Sequence, residues 1–209
     1  MSGQPFLAAW LDRLPVLEGG PFLAFLVGSS LGAWWVASHD FVPILDHLNL
    51  AFHEAGHLFL AWAGATLHAL GGTLGQFVFP TLCAFHFARR AAWLSAAACA
   101  LWWLENLRYT AFYVADARRQ ALPLVGGGEH DWAFLLGRWG LLEHDLRIAA
   151  LLRGLCWLGW LAVTVLVVLW FRHGRQRARE RAEAARRQRI IEEARQRARQ
   201  GTPPSQERR

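Results

Sequence analysis

The sequence predicts an all-α protein, a polytopic membrane bundle of four or five transmembrane helices followed by a basic C-terminal helical tail. Hydrophobic residues make up 54% of the 209 residues, 12 residues are Trp, and the mean hydropathy is positive. This composition is typical of proteins that cross a membrane several times. The charge is divided unevenly, because residues 172–209 carry 13 Arg against 5 Glu whereas residues 1–171 carry a balance of −2. The chain is therefore a nearly neutral apolar body with a basic tail.

The apolar body divides into segments of helix length. A short amphipathic segment, 1–20, comes first, and the transmembrane domain extends over 21–171. Within that domain five segments are candidate spans: 21–38, 43–65, 71–87, 91–115 and 146–171. The last contains about the 20 apolar residues that a bilayer requires. The third is short and interrupted by Gly75, Gln76 and Pro80, so it is a full span, a tilted span or a re-entrant segment.

Arginines indicate the orientation of the bundle. Arg89 and Arg90 lie between the third and fourth segments, and a dense run of Arg begins at Arg172. If both clusters are cytoplasmic, as the excess of basic residues in cytoplasmic loops predicts, the two intervening spans return the chain to the same side. We therefore expect an integral protein of the plasma or inner membrane whose tail, 172–209, is cytoplasmic.

The tail is rich in Ala, Glu, Arg and Gln, which favours helix. Its end, 201–209, is expected to be disordered. The tail is either a solvated helix or a segment that rests on anionic lipid headgroups. Nucleic acid is not an expected partner, because the charge has no aromatic platform or nucleic-acid-binding fold beside it. The lipid bilayer is the expected partner.

The second candidate span carries the motif His53-Glu54-Ala55-Gly56-His57. Side chains four residues apart lie on the same face of a helix, so His53 and His57 can bind one Zn²⁺. Glu54 lies on the adjoining flank and can act as general base on a water that the zinc activates. Gly56 leaves room for the backbone of a neighbouring helix. The alternative is a hydrogen-bonded polar patch without a metal, although burying these groups unpaired in hydrocarbon would cost several kcal/mol.

A catalytic zinc requires a third protein ligand and keeps one position open. Asp46 lies on the same helix face as His53 but about 10 Å along the axis, which is too far to share the ion. The other histidines before residue 90 are excluded by the same distance or are isolated in the sequence: His39, His47, His68 and His86.

The segment "LVGGGEHDWAFLL", 124–136, is a better source of the third ligand. Its three consecutive glycines form a pliable backbone that could fold back over the site and deliver His130 or Asp131. Asp131 is also a candidate N-cap for a helix that starts at Trp132. Both interpretations of Asp131 remain open, and Asp116 is the reserve ligand.

Polar residues in the fourth candidate span form a stripe. Tyr109, Phe112 and Asp116 follow Glu105 at offsets of 4, 7 and 11 residues, which places them within about 20° of one another on a helix. So polar a stripe should face the interior of the bundle and support the metal ligands or the substrate. The residues assigned to this supporting or substrate-binding set are Glu105, Asn106, Tyr109, Tyr113 and, from the third segment, Gln76.

With its His53-Glu54-Ala55-Gly56-His57 motif inside an apolar helix, followed by the interruption at 71–80, the chain resembles the site-2-protease-like family of intramembrane zinc metalloproteases. The resemblance implies an all-helical membrane core and a zinc held by the two motif histidines and an acid from a later span. It also implies that Glu54 is the catalytic base and that membrane-embedded peptides are cleaved. The family's second signature, an Asn-Pro-Asp-Gly-like stretch, is absent from this sequence.

Three functions remain open at this point. The first is a membrane-embedded zinc hydrolase, an intramembrane metallopeptidase acting on a transmembrane peptide. The second is a non-catalytic membrane scaffold or partner-binding protein whose zinc is structural, which a closed four-ligand site would indicate. The third is a zinc hydrolase that acts on lipid amides or esters, because the same activated water attacks either kind of carbonyl.

Overall fold

The computed structural model describes residues 6–125 and 129–200, and these residues form helices and connecting loops without a strand. The prediction of an all-α fold is confirmed. Two expectations lie outside the described residues, namely the folding back of the glycines at 126–128 and the disorder of 201–209. The helices are α1 Phe6–Leu11, α2 Gly19–Ser38, α3 Leu45–Leu60, α4 Ala65–Arg89, α5 Trp93–Ala115, α6 Asp131–Arg138 and α7 Asp145–Gln200.

The contacts divide the chain into two units, Gly19–Val167 and a second unit made of Met1–Glu18 with Val168–Arg209. In the second unit the residues before α2 pack on α7. Trp170 donates its indole N–H to the Pro15 carbonyl at 2.7 Å, and His173 Nε2 lies 2.7 Å from Asp12 Oδ1. Arg177 donates to the Leu14 carbonyl at 2.9 Å. Farther along α7, every side chain from 179 to 198 is exposed.

In the larger unit, α3 and α4 approach each other through glycines. A Cβ added to Gly56 would lie 2.0 Å from the Gly71 carbonyl oxygen, and one added to Gly75 would lie 2.3 Å from the Phe52 carbonyl oxygen. Both distances are too short for any side chain, so the two backbones are in direct contact. The room that Gly56 was expected to leave for a neighbouring backbone is therefore occupied by α4.

The third candidate segment differs from its prediction. Gly75, Gln76 and Pro80 do not interrupt it, because α4 runs as one α-helix of 25 residues from Ala65 to Arg89. The glycines serve the packing against α3 instead of breaking the helix. Pro80 removes one backbone N–H donor from the helix interior. The next residue, Thr81, donates its hydroxyl to the Phe77 carbonyl at 2.7 Å in the same turn.

Within residues 6–125 and 129–200, two helices are long and apolar enough to cross a membrane, α2 and the apolar part of the helical region 142–198. A bundle of four or five spans is therefore not confirmed. The physical reason is that α3, with 16 residues, is short for a span, and that α4 and α5 carry polar side chains, which lower their hydropathy. The apolar segment 146–171 and the described part of the basic tail, 172–200, were predicted as separate segments but belong to one continuous helix, α7.

Candidate metal centre

Three ligand-type side chains converge where α3 meets the start of α6. His53 and His57 are one turn apart on α3, and Asp131 is the first residue of α6. Asp131 Oδ2 lies 2.9 Å from His53 Nε2 and 3.3 Å from His57 Nε2. One ligand atom from each residue lies within 4.8 Å of the others, so the group could hold a metal ion.

The far nitrogen of each imidazole already faces an oxygen. His57 Nδ1 is 2.8 Å from the His68 carbonyl, and His53 Nδ1 is 3.4 Å from Gln76 Oε1. Gln76 is itself oriented, since its amide donates to Thr110 Oγ1 at 2.8 Å. Acceptors at the far nitrogen are the usual means by which a protein fixes the ring of a metal-binding histidine.

The contact with His68 determines which nitrogen of His57 carries the proton. A backbone carbonyl only accepts hydrogen bonds, so the proton between His57 and His68 belongs to His57 Nδ1. In the neutral ring Nε2 then carries a lone pair, and it points at a carboxylate oxygen 3.3 Å away. Two electron-rich atoms at that distance repel each other unless a cation lies between them. That cation is either the second proton of an imidazolium or a metal ion.

Gly72 of α4 forms the wall of the space beside the two imidazoles. A Cβ built there would lie 2.3 Å from His53 Nε2 and 2.6 Å from His57 Nε2. Only glycine leaves room around both nitrogen atoms at this position. The sequence interpretation did not single out Gly72, although its place between Gly71 and Gly75 was a usable signal.

A cavity of about 940 Å³ adjoins the three ligand-type residues. Glu54 lines it together with His53, His57 and Asp131, and Tyr109 and Tyr113 also line its wall. Most of the other lining side chains are apolar: Phe41, Leu50, Leu58, Ala65, Ala69, Phe112, Leu122, Pro123, Leu124, Val125 and Phe134. The charged lining residues are acids, and none of the lining residues within 6–125 and 129–200 is Arg.

His130 is the N-cap of α6. Its Nδ1 accepts from the Ala133 backbone N–H at 3.2 Å, and its ring stacks on Tyr113 with centroids 4.1 Å apart. Burial lowers the pKa of His130, although Asp116 and Asp131 oppose the shift. The neutral ring that results can accept the capping hydrogen bond. Of the two interpretations left open for Asp131, the N-cap of a helix starting at Trp132 is wrong, because α6 begins at Asp131 and its N-cap is His130.

The cap by His130 leaves the carboxylate of Asp131 available for the metal group. Tyr113 positions Asp131 further, because its hydroxyl lies 3.3 Å from the Asp131 backbone nitrogen and 3.5 Å from Oδ2. The reserve ligand Asp116 has another task. Its two oxygens accept from the backbone N–H groups of Ala121 and Leu122 at 3.1 and 2.9 Å, and its Oδ2 lies 3.6 Å from His130 Nε2. Neither Asp116 nor His130 belongs to the convergent group.

The residues that were predicted to support the metal ligands or the substrate have different positions. Glu105 lies outside the metal group, where its Oε2 accepts from the Asn49 amide at 2.8 Å. Asn106 donates to the Trp102 carbonyl at 3.4 Å. Tyr109 and Tyr113 line the large cavity, and Gln76 faces His53. The His68 carbonyl was not anticipated, because a backbone oxygen leaves no signal in residue identities.

Protein-family models, curated protein sequences and solved structures were compared with this chain, and no match was found in any of the three comparisons.

Proposed function

We propose that this protein is a membrane-embedded zinc-dependent hydrolase, an intramembrane metallopeptidase of the site-2-protease-like kind. The observation that carries the proposal is the convergence of His53 Nε2, His57 Nε2 and Asp131 Oδ2, with the proton of His57 held on its far nitrogen by the His68 carbonyl. This arrangement calls for a cation among the three atoms.

The donor set and its dimensions support zinc. Two imidazole nitrogens and one carboxylate are ligands of many catalytic zinc sites. Ligand atoms about 2.0–2.2 Å from a tetrahedral Zn²⁺ lie roughly 3.3–3.6 Å apart. The separations of Asp131 Oδ2 from the two Nε2 atoms, 3.3 and 2.9 Å, are near that range. Gly72 keeps the necessary space free of a side chain.

Three protein ligands favour catalysis over a purely structural role, because a structural zinc site is closed by four. Bound zinc supplies a Lewis acid that activates water and polarises a carbonyl. Glu54, which lines the same cavity, accepts the proton of the attacking water and returns it to the leaving amine. Tyr113 holds Asp131 in place from the cavity wall.

The lining of the cavity favours a peptide substrate over a phospholipid. Recognition of a phosphate headgroup relies on Arg, Lys or a cluster of backbone N–H groups. The charged residues that line the cavity are acidic, namely Asp40, Glu54, Glu129 and Asp131. Apolar walls with a few hydrogen-bonding groups suit an extended polypeptide segment that carries apolar side chains.

Membrane insertion of more than two helices belongs to the same proposal. Large apolar side chains on α3 and α4 are exposed, for example Leu58 and Phe59 at 78% and Leu82 at 58%. Such surfaces are covered by a partner or by lipid. With Arg89 and Arg90 on the cytoplasmic side, the same side receives the tail after Arg172, and its exposed arginines face anionic headgroups.

The test combines metal analysis with hydrolysis by detergent-purified protein. Wild type should retain about one equivalent of zinc and cleave a labelled transmembrane peptide. Glu54→Gln should keep the zinc and lose at least about 100-fold in rate, because general acid–base catalysis contributes on that order. Glu143→Gln, an exposed acid away from the cavity, is the matched control and should retain both properties.

Three outcomes would overturn the proposal. Undiminished cleavage by Glu54→Gln would remove the role of this carboxylate. Zinc without cleavage by the wild type would favour the scaffold function. Cleavage of a labelled lipid amide or ester in place of the peptide would favour the lipid hydrolase.

A further inference from the structure

His68 is a side chain of the large cavity that has no task in the proposed hydrolysis so far. It lies on α4 and lines the cavity together with Glu54 and the three residues that converge at the metal centre. Its ring centroid is 5.0 Å from that of His57, at an interplanar angle of 38°. An imidazole beside a metal ligand and open to the cavity is in a position to act on a substrate.

The spacing of residues on α4 explains why His68 faces the metal centre. His68 and Gly72 are four residues apart, so they lie on the same face of the helix. That face is turned towards α3, because a Cβ added to Gly72 would lie 2.6 Å from His57 Nε2. The backbone carbonyl of His68 accepts from His57 Nδ1 at 2.8 Å. The turn of α4 that orients His57 therefore also carries the His68 ring.

The ring of His68 has a hydrogen-bond donor to offer. A neutral imidazole carries one N–H group, whichever tautomer is present. Within residues 6–125 and 129–200 neither ring nitrogen has a hydrogen-bond partner, and the residue is exposed. The backbone carbonyl of the same residue, by contrast, is engaged with His57. The two parts of His68 are therefore separable: the carbonyl orients a metal ligand, and the ring is available to a substrate.

Hydrolysis of an amide creates a negative charge that such a donor stabilises. When the water oxygen bonds to the carbonyl carbon, a water proton passes to Glu54 and the π electron pair of the carbonyl moves onto its oxygen. The C–N bond then breaks, its electron pair stays on the nitrogen, and Glu54 returns the proton to that nitrogen. A donor aimed at the oxygen stabilises the charged intermediate more than the planar amide. The donor itself transfers no proton.

The two tyrosines of the cavity wall are less suited to this task. The Tyr113 hydroxyl lies 3.3 Å from the Asp131 backbone nitrogen and 3.5 Å from Asp131 Oδ2, so it is engaged with a metal ligand. The charges that act on Tyr109 include those of Asp46 and Glu105, which lie outside the metal centre. Among the described lining residues, the histidine on α4 is the side-chain donor that lies beside the ligands and is not engaged.

We propose that the ring N–H of His68 donates a hydrogen bond to the substrate carbonyl oxygen as that oxygen becomes negative, which makes His68 a second catalytic residue beside Glu54. The inference rests on the proposed hydrolase function and adds to it the group that acts on the substrate oxygen. A carbonyl polarised at the metal centre lies beside His57, and the His68 ring is the neighbour of His57 on the cavity wall.

The first test measures peptide hydrolysis by the zinc-loaded protein. His68→Leu removes the donor and should lower kcat about 100- to 1,000-fold, the effect of losing one such donor. KM should change less than about threefold, because the hydrogen bond strengthens only in the transition state. Stoichiometric zinc should remain, since the backbone carbonyl that orients His57 is unchanged.

Conservative variants and a matched control identify the donor as the cause. His68→Asn keeps an N–H group near the position of Nδ1, and His68→Gln keeps one near that of Nε2. One of the two should recover at least about 10-fold of the lost rate. His86→Leu changes an exposed histidine of the same helix that does not line the cavity, and it should cleave like the wild type.

A second measurement does not depend on turnover. Methyl(phenyl)phosphinate has two oxygens, one for the metal and one for the His68 donor, whereas benzenethiolate binds a metal through sulfur and has no oxygen. The affinity of each probe for zinc-loaded protein is measured by calorimetry. His68→Leu should weaken the phosphinate at least about 10-fold, a difference of about 1.4 kcal/mol, and leave the thiolate within about threefold. His86→Leu should change neither affinity.

The outcomes distinguish this inference from the hydrolase function. If the wild type binds zinc but cleaves no peptide, the hydrolase function fails. A selective loss of phosphinate affinity in His68→Leu then still supports the donor, and an unchanged affinity overturns it. With a cleaving wild type, the inference is overturned if His68→Leu cleaves at the wild-type rate, loses its zinc or weakens both probes equally, or if neither His68→Asn nor His68→Gln recovers rate. A wild type without zinc would overturn both proposals.

Discussion

The substitution Gly72→Ala tests the metal centre most directly, because it adds one methyl group at the wall of the site. The added Cβ would lie 2.3 Å from His53 Nε2 and 2.6 Å from His57 Nε2, which is 0.7 and 0.4 Å inside the 3.0 Å limit of real Cβ contacts. The backbone of α4 cannot retreat from the overlap without parting from α3, since Gly71 and Gly75 already contact that helix. The two imidazoles must therefore move.

The magnitude follows from what such a movement disrupts. Loss of a residue that merely supports a ligand raises the dissociation constant of a metal about 10- to 100-fold. Gly72→Ala displaces two ligands at once, so we expect an increase of at least about 100-fold for zinc, or about 2.7 kcal/mol. Helix propensity works in the opposite direction, because Ala is favoured over Gly by about 1 kcal/mol in a helix interior. A lower affinity would therefore reflect the site rather than a weakened helix.

The assay is a competition between the protein and a chromophoric zinc chelator, followed by absorbance. Gly154→Ala, at a helical glycine with nothing within 4 Å of an added Cβ, is the control and should bind zinc like the wild type. Far-UV circular dichroism verifies that both variants keep their helices. A zinc affinity of Gly72→Ala within about threefold of the wild-type value would refute the reasoning.

Two further predictions concern the groups around the ligands. Gln76→Leu removes the oxygen beside His53 Nδ1 and should raise the zinc dissociation constant about 10-fold in the same competition assay, whereas an unchanged value would show that the ring needs no such partner. Asp131→Ala should abolish stoichiometric zinc, whereas His130→Ala should keep the zinc and lose the cap on the Ala133 N–H, which costs about 1 kcal/mol of stability in thermal unfolding. Loss of zinc in the second variant with retention in the first would contradict this division of roles.

Local periodicity was sufficient to predict that His53 and His57 share one face of a helix. Two histidines four residues apart on a helix must face the same way, whatever surrounds the helix. Gly56 could also be interpreted from the sequence, because a glycine within a helix leaves room for the backbone of a neighbouring helix. The position of α4 against this glycine is the tertiary contact that the local pattern anticipated.

The start of α6 was not predictable from local signals. His130 and Asp131 are adjacent, and the carboxylate is by residue type the better N-cap. The outcome depends on Tyr113, which stacks on the His130 ring and contacts Asp131 through its hydroxyl. That partner lies 18 residues away from Asp131 along the chain.

The polar residues of α5, on the predicted stripe and alongside it, were expected to face the bundle interior together, but they contact three different elements. From Glu105 to Asp116 the helix rises by roughly 16 Å, so residues on the same face meet different elements. Glu105 contacts Asn49, Tyr113 contacts Asp131, and Asp116 holds the backbone at 121–122. Helical periodicity gives the direction in which a side chain points, whereas its partner depends on the position along the axis.

The contact between α3 and α4 through Gly56, Gly71 and Gly75 has a consequence for how this protein can vary. The two helices contact each other through backbone atoms, which have no rotamers, so the distance between the helices is fixed. The distance from the histidines to Gly72 is fixed with it. The outward side chains of both helices can then be exchanged without changing the distance between the histidines and Gly72. A single methyl group added where the two helices cross would change that distance.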